Sequence, residues 1–316
     1  MKRLGGGVLA GVLGLAGASV AAGAARRRAR GIPFSPVTAD WYVGPDFPER
    51  AGIVDDDAPT PAGEMDDLDA FARPDFDPGR VHPEIRAFYE ETSAFSMTYQ
   101  ARWHRPFRTG AAFASRATSR IEQLNLPAPG DERSRKLESR FAPIDPAADP
   151  REGARAWVRT DPETGEAVFV ALYAHHEGRS PSERASGGTA SAEDGQKGSR
   201  VDERLVNIAV PLPGWNLSTI LHLEALDTET EAGAGLRLTT RAAGDPGLYA
   251  VRDHGYWLPM DQTFTVWPAD APGAPAPPEI DADGDPDLVA THEMWLLGMQ
   301  FLTVSYAIEN AESPTR

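Results

Sequence analysis

Residues 154–175 read ARAWVRTDPETGEAVFVALYAH, and this stretch decides the fold class. Ala154–Thr160 and Glu166–His175 are rich in β-forming residues and flank the turn Asp161-Pro162-Glu163-Thr164-Gly165. Two such runs around a short turn that contains glycine are typical of a β-hairpin. The chain is therefore predicted to contain an antiparallel sheet.

Further strand-like runs follow this hairpin, separated by turns rich in Gly, Asp and Pro. They are Arg204–Val210, Thr219–Leu226, Gly235–Arg241, Leu248–Val251, Trp257–Trp267 and about Ala290–Glu309. Short strands at even spacing are typical of an antiparallel sandwich or barrel, here of about eight strands. Residues 177–200 are predicted to be a disordered insertion, and the Pro- and Asp-rich residues 269–287 a long surface loop.

Short helices are predicted before the sheet. His82-Pro83 begins an amphipathic helix, a second helix follows Pro106 and stops before Pro127, and a third spans residues 131–141. The expected fold class is α+β: an N-terminal transmembrane helix, two or three short helices, and a mostly antiparallel β-sheet or β-barrel-like body. The globular domain is predicted to cover residues 82–316.

The N-terminal segment favours a membrane anchor. Leu4–Ala25 contains 22 residues without a charge, which as a helix at about 1.5 Å per residue spans a hydrocarbon core of about 30 Å. Four arginines follow within residues 26–30, and such clusters tend to remain in the cytoplasm. We therefore predict a single-pass anchor over residues 1–30 with a cytoplasmic body. The alternatives are a secretory signal cleaved after Ala22-Gly23-Ala24 and a disordered or peripheral leader.

Residues 31–81 are predicted to be an acidic tether between the anchor and the globular domain. They contain eight prolines and the acidic clusters Asp55-Asp56-Asp57 and Asp66-Asp67-x-Asp69. Such composition resists packing into a core. Aromatic residues such as Trp41 are the exceptions, and would pin parts of the tether to the domain or to the membrane interface.

The overall composition excludes several function classes. The chain has 47 acidic against 31 basic residues, a formal net charge of -16, which disfavours nucleic acid as a partner. Of the basic residues 28 are Arg, and this bias beside excess acid favours adaptation to high salt over the effect of a GC-rich genome. The absence of cysteine excludes disulfides, thiolate metal sites and a cysteine nucleophile.

No common catalytic or metal-binding motif is present. The chain lacks G-x-S-x-G, the P-loop, the dinucleotide fingerprint and H-E-x-x-H. Aspartate occurs at every second position in Asp281, Asp283, Asp285 and Asp287. A calcium-binding loop that began at Asp281 would, however, need Gly at the position of Pro286. His175 and His176 are adjacent on a strand and point to opposite faces. We therefore predict no metal and no cofactor.

Six residues are the predicted ligand contacts. His222 and Glu224 lie two apart and share one strand face, and large aromatic residues of the body would complete a pocket. The set is Tyr173, His222, Glu224, Trp257, Trp267 and Trp295.

The leading functional hypothesis is a membrane-anchored, non-catalytic protein whose β-rich body binds an apolar ligand or another membrane protein. One alternative is an enzyme of unfamiliar type that uses His222 with Glu224 or Asp261 as an acid–base pair. Another is a structural protein that associates through small residues of the transmembrane helix, such as Ala10 and Gly14. The sequence leaves the oligomeric state open.

Overall fold

A computed structural model describes residues 21–178, 203–226, 235–277 and 285–311. The described strands are β1 Phe95–Trp103, β2 Arg135–Pro143, β3 Glu152–Thr160, β4 Ala167–Gly178, β5 Glu203–Leu212, β6 Trp215–Leu226, β7 Gly235–Thr239, β8 Gly247–Val251, β9 Gly255–Leu258, β10 Met260–Pro268, β11 Leu288–Leu296 and β12 Met299–Asn310. The α-helices are α1 Phe47–Arg50, α2 Pro83–Glu90 and α3 Arg108–Ile121, and residues 21–29 are also helical.

The strands form a closed antiparallel barrel. Their order is β5-β4-β3-β2-β1-β12-β11-β10-β7-β6, and an additional pairing of β5 with β6 closes the ring. β6 pairs with β7 through residues 222–226 and with β8 through residues 216–220, so β8 and β9 extend the sheet outside the ring. The predicted barrel-like antiparallel body is confirmed, and the hairpin of residues 154–175 forms β3 and β4.

The structure corrects two predicted elements. Residues 131–141 do not form a helix, because β2 pairs with β1 and β3 and buries Leu137 and Phe141 in the barrel. The run Ala290–Glu309 is a hairpin of β11 and β12, whose turn residues Leu297 and Gly298 have φ of 51° and 77°. β1 was not predicted, although its alternating pattern buries every second side chain.

The two predicted helices after His82 and Pro106 are confirmed as α2 and α3. Pro83 begins α2. At this position a backbone N–H makes no hydrogen bond within the helix, so proline loses nothing by lacking one. His82 Nδ1 accepts a hydrogen bond from Glu84 N–H at 3.3 Å. Its buried face carries Ile85, Phe88 and Tyr89, which join the barrel core.

Residues 31–81 pack against the barrel instead of forming a free tether. Val37, Val43 and Phe47 cover the outer face of the wall, with Ala156 and Val158 of β3 beneath them. Because the apolar residues between the prolines supply this buried surface, the acidic composition does not prevent packing.

The second half of this region closes one end of the barrel. Residues 62–94, called the lid, contain α2 and the short 3-10 turns Leu68–Phe71, Pro78–Arg80 and Thr92–Ala94. The lid precedes β1, so it lies at the barrel end where β1 begins and β12 ends, called the lid end. The opposite end, called the turn end, carries α3 and the β5–β6, β8–β9 and β11–β12 turns.

Within the described part of the chain, no helix combines the length and hydropathy that a membrane crossing needs. Most of the predicted span Leu4–Ala25 lies outside the described residues. The transmembrane prediction therefore has no support from the structure.

Candidate functional site

β3 directs two arginines into the barrel. Trp157 belongs to the interior core and lies 5.5 Å from the ring of Tyr173, whereas Ala156 and Val158 belong to the outer cluster. Since side chains alternate along a strand, Arg155 and Arg159 share the inward face with Trp157.

Arg159 is the unusual residue of this interior. It is 6% exposed, and its guanidinium carbon lies 4.0 Å from the ring centroid of Trp157 and 4.2 Å from that of Phe169. Its Nε and Nη2 are buried and have no hydrogen-bond partner among the described residues. None of the ion pairs within the described ranges includes it. A buried cation is thus held by two aromatic faces, and no described residue forms an ion pair with it.

Arg159 borders a cavity of about 40 Å³ in the barrel interior. A buried water needs roughly 10–15 Å³ of such space, so a few water molecules or one small polar group would fill it. The lining residues are Glu64, Phe88, Tyr89, Met97, Trp157, Arg159, Tyr173, Ile208, Leu221, Leu238, Phe264, Val266, Ala290 and Tyr306. The cavity is therefore mostly apolar, with polar groups from the lid and the wall.

The titratable groups around this cavity leave it positively charged near neutral pH. Burial raises the pKa of Glu64 to about 8, and the charge of Arg159 only partly opposes this shift. Burial, and secondarily Arg159, lowers the pKa of His292 to about 3, and its ring stacks on Phe264 at 3.7 Å. At pH 7 Glu64 is mainly protonated and His292 is neutral, so Arg159 dominates the local charge.

Arg155 has partners that Arg159 lacks. Its Nη2 donates to Asp66 Oδ2 at 2.6 Å, its Nη1 to the Gly63 carbonyl at 3.3 Å and its Nε to the Gly153 carbonyl at 3.0 Å. Asp66 and Gly63 belong to the lid, so Arg155 fastens the lid to the barrel wall. This contact is called the latch.

The lid supplies part of the cavity wall. Phe88 and Tyr89 of α2 line the cavity, and Met65 N–H donates to the Tyr89 carbonyl at 3.2 Å. A second contact joins the lid to the barrel, because Arg73 Nη2 lies 2.9 Å from His222 Nε2. Displacement of α2 would therefore open the barrel interior at the lid end.

Of the six predicted ligand contacts, the structure brings only Tyr173 to this cavity. His222 and Glu224 alternate with Leu221 and Leu223, which are interior, so both point outward from the barrel. His222 Nε2 and Glu224 Oε1 are 3.9 Å apart, and His222 Nδ1 instead contacts Glu203. The geometry therefore does not favour the His222–Glu224 acid–base pair.

The three predicted tryptophans also lie outside the interior. Arg28 lies 4.6 Å from the ring centroid of Trp257, and Arg241 lies 3.7 Å from that of Trp295. Trp267 follows the interior Val266 on β10, so it faces outward. The predicted residues do not share one pocket.

Sequence reasoning missed Arg159, Glu64 and His292. The signal for Arg159 is present, since Arg155, Trp157 and Arg159 alternate along a predicted strand. The periodicity shows that the three side chains share one face of the strand, but it does not show whether this face points into the barrel or to the solvent. Glu64 lies in the region predicted as a tether, and nothing in its local sequence indicates burial.

A second cleft of about 270 Å³ lies at the turn end between α3 and the barrel. Its deepest cation, Arg135, pairs with Asp131 at 2.7 Å and with Asp161 at 3.4 Å. Because its charge is already compensated, this cleft offers less to a charged ligand than the interior does.

The described residues contain no group of three or more acidic or histidine side chains that would hold a metal ion. Asp281 and Asp283 lie outside these residues, and Asp287 Oδ2 accepts a hydrogen bond from Asn310 N–H at 2.9 Å. His175 lies beside Glu152 at 3.2 Å, and mainly burial lowers its pKa.

Comparison with known proteins gives one informative similarity. The chain is similar to the uncharacterized membrane protein YndJ of Bacillus subtilis strain 168, with 29% identity over 286 residues. The similarity covers 89% of this chain and 44% of the relative, so the chain spans less than half the length of that protein. No family model and no solved structure matches.

Proposed function

We propose that this protein is a membrane-associated, non-catalytic binding protein whose barrel takes up an amphipathic acid. The carboxylate of the ligand pairs with Arg159, and its apolar chain extends towards the lid end. Antiparallel barrels of similar size are suited to this task, because their interiors accept one small ligand.

The observation that carries the proposal is the incomplete pairing of Arg159. A buried N–H without an acceptor costs about 1–3 kcal/mol, and more when the group is charged. The Trp157 and Phe169 faces offset part of this cost. A carboxylate would satisfy Nε and Nη2 together, since a guanidinium presents two parallel donors to such a group.

The electrostatics of the cavity support an acid over a neutral or basic ligand. Glu64 is the acidic side chain that lines the cavity, and its raised pKa keeps it mainly uncharged at pH 7. A protonated Glu64 also offers an O–H donor to a second oxygen of the ligand. The remaining wall is apolar and suits a hydrocarbon chain.

Uptake of a chain requires the lid to move. The cavity of about 40 Å³ accommodates the polar group but not a hydrocarbon tail. Phe88 and Tyr89 occupy the space between this cavity and the lid end, so the tail would replace them when α2 shifts. The latch and the Arg73–His222 contact then control opening.

Two observations support membrane association. Leu4–Ala25 is uncharged and long enough to span a bilayer as a helix. The similar Bacillus subtilis protein is named as a membrane protein. The finer proposal is a single-pass anchor with the barrel in the cytoplasm, because the arginines of residues 26–30 follow the span.

The test compares an acid with its uncharged analogue. Octanoate and 1-octanol are offered to the full chain in lipid nanodiscs, and binding is measured by equilibrium dialysis against protein-free nanodiscs. We expect octanoate to bind more tightly, and Arg159→Met to weaken it by roughly ten- to a hundredfold, as loss of charge-assisted hydrogen bonds implies.

Arg237→Gln is the matched control, because Arg237 is a half-exposed barrel arginine paired with Glu224 at 3.3 Å. Its octanoate affinity should remain at the wild-type value. Equal binding of octanoate and octanol, or equal affinity in Arg159→Met and wild type, would show that Arg159 is not the anion site.

A further inference from the structure

The exposed apolar side chains of the described residues gather at one end of the barrel. The large ones are Trp41 at 73% exposure, Phe113 at 68%, Leu297 at 69%, Met299 at 50%, Trp215 at 39% and Tyr256 at 38%. A single exposed apolar residue is ordinary, but a group at one end of a molecule indicates an interaction surface.

The topology places these residues together at the turn end. Trp215 begins β6 directly after the β5–β6 turn, and Tyr256 follows the β8–β9 turn. Leu297 belongs to the β11–β12 turn, and Met299 begins β12 directly after it.

Trp41 and α3 reach the same end. Ala39 pairs with Pro213 of the β5–β6 turn, which brings the segment that carries Trp41 to this end. The α3 helix, which carries Phe113, connects β1 to β2 at this end, and Val43 N–H donates to the carbonyl of its last residue, Ile121, at 2.9 Å.

One segment of the turn end is basic in an acidic protein, although Glu163 and Glu166 of the β3–β4 turn are exposed at the same end. Residues 105–121, which include α3, contain four arginines and no acidic residue, whereas the whole chain has a net charge of -16. Arg105, Arg116 and Arg120 are exposed. The charge of this segment is therefore opposite in sign to the net charge of the chain.

The N-terminal helix joins the fold at this end as well. Ala29 lies against Gly255, the first residue of β9, and Arg28 packs over Trp257. Arg26, Arg27 and Arg30 are exposed beside them. Residues 21–30 thus lead into the turn end.

We infer that the turn end is a docking surface for an anionic phospholipid bilayer. Tryptophan and tyrosine favour the membrane–water interface, and an anionic leaflet attracts arginines that lie close to it. The exposed aromatic and aliphatic side chains, with the arginines of residues 26–30 and 105–121, match the interface and headgroup region of such a bilayer. The lid end then faces away from the bilayer.

The test uses the absence of cysteine, because any introduced cysteine is a unique labelling site. Phe113→Cys and Met299→Cys report on the turn end, and Ala147→Cys, on the exposed loop between β2 and β3 at the lid end, is the matched control. Each labelled full chain is reconstituted into phosphatidylglycerol–phosphatidylcholine vesicles that contain brominated lipid. We expect at least threefold stronger fluorescence quenching at positions 113 and 299 than at 147.

A charge-reversal variant tests the role of the arginines. Arg116→Glu combined with Arg120→Glu should lower quenching at position 113 by at least half in anionic vesicles, whereas Arg80→Glu on the lid should not. Unchanged melting temperatures establish that each variant is folded. Equal quenching at all three positions, or stronger quenching at 147, would overturn the inference and leave the turn end to a protein partner. Octanoate binding is measured separately, so failure here does not affect the ligand proposal.

Discussion

Two buried arginines of this protein, Arg151 and Arg159, have opposite surroundings. Arg151 lies on the outer side of the barrel wall and donates to Asp149, to Asn207 and to the Leu172 carbonyl. Arg159 lies inside the barrel between two aromatic rings, and two of its nitrogen atoms have no hydrogen-bond partner among the described residues. The contrast separates a charge that holds the fold together from a charge that we propose pairs with a ligand.

The Arg151 network fastens the N-terminal segment to the barrel. Ser35 Oγ donates to Asp149 Oδ2 at 2.7 Å, and Asn207 Nδ2 donates to the Pro33 carbonyl at 2.8 Å. The side chains of Arg151 and Asp149 are both fully buried. Every donor of this arginine head group has an acceptor, so the network needs nothing from outside the protein.

The largest expected effect is the loss of Arg151. Arg151→Met leaves Asp149 buried without its counter-charge, so the free energy of unfolding should fall by about 3–5 kcal/mol. Arg159→Met should be neutral or stabilising, because it replaces an uncompensated buried charge with an apolar side chain. Urea denaturation of both variants measures the difference. A comparable loss of stability in the two variants would mean that Arg159 is also a structural residue.

Octanoate should stabilise the wild type but not the Arg159→Met variant. Octanoate at about one hundred times its dissociation constant should raise the free energy of unfolding of the wild type by about 2.7 kcal/mol. Arg159→Met should show little of this increase at the same concentration. Thermal denaturation with and without octanoate measures it, and an unchanged increase in the variant would contradict the assignment.

The pH dependence of stability isolates Glu64. Its pKa is about 8 in the folded protein and near 4.5 when unfolded, so the folded state retains a proton that the unfolded state has lost between these values. The contribution of neutral Glu64 to the free energy of unfolding is fully present below pH 4.5. It is lost as pH rises from there through 8, by up to about 1.4 kcal/mol per pH unit.

Glu64→Gln should remove this slope, and the difference between wild type and variant should grow from pH 5 to pH 8. His292 is present in both proteins, so its opposing effect at lower pH cancels in the difference. Urea denaturation across this range provides the measurement. Parallel curves for the two proteins would place Glu64 in contact with water rather than in the barrel interior.

The smallest expected effect concerns the latch. Asp66→Asn removes the charge that pairs with Arg155, and because Asp66 is 71% exposed the loss of stability should be below about 1 kcal/mol. Hydrogen exchange of the α2 amides should nevertheless accelerate, since the lid opens more often. Asp57→Asn, in an exposed loop, should leave this exchange unchanged. Slow exchange in both variants would show that apolar contacts alone hold the lid.

Local patterns determined the β-rich body, the β3–β4 hairpin and the helices α2 and α3. Each depends on neighbours in sequence: a turn with glycine between two β-forming runs, or a proline followed by apolar residues at helical spacing. The helix predicted for residues 131–141 was wrong because Leu137 and Phe141 fit a helical face as well as a strand face, and only pairing with β1 and β3 decides between them.

The sequence by itself thus determined the strand-rich class of the fold, the negative net charge, the lack of cysteine chemistry and the uncharged stretch near the N-terminus. Tertiary structure alone decided which face of β3 is inside, that Glu64 lines one cavity with Arg159 while His292 stacks on its wall at Phe264, and that residues 31–81 cover the wall and close the barrel. The physical reason is that burial and charge pairing depend on residues far apart in the chain. A strand pattern fixes only that alternate side chains share a face, and closure of the barrel selects which face loses its water.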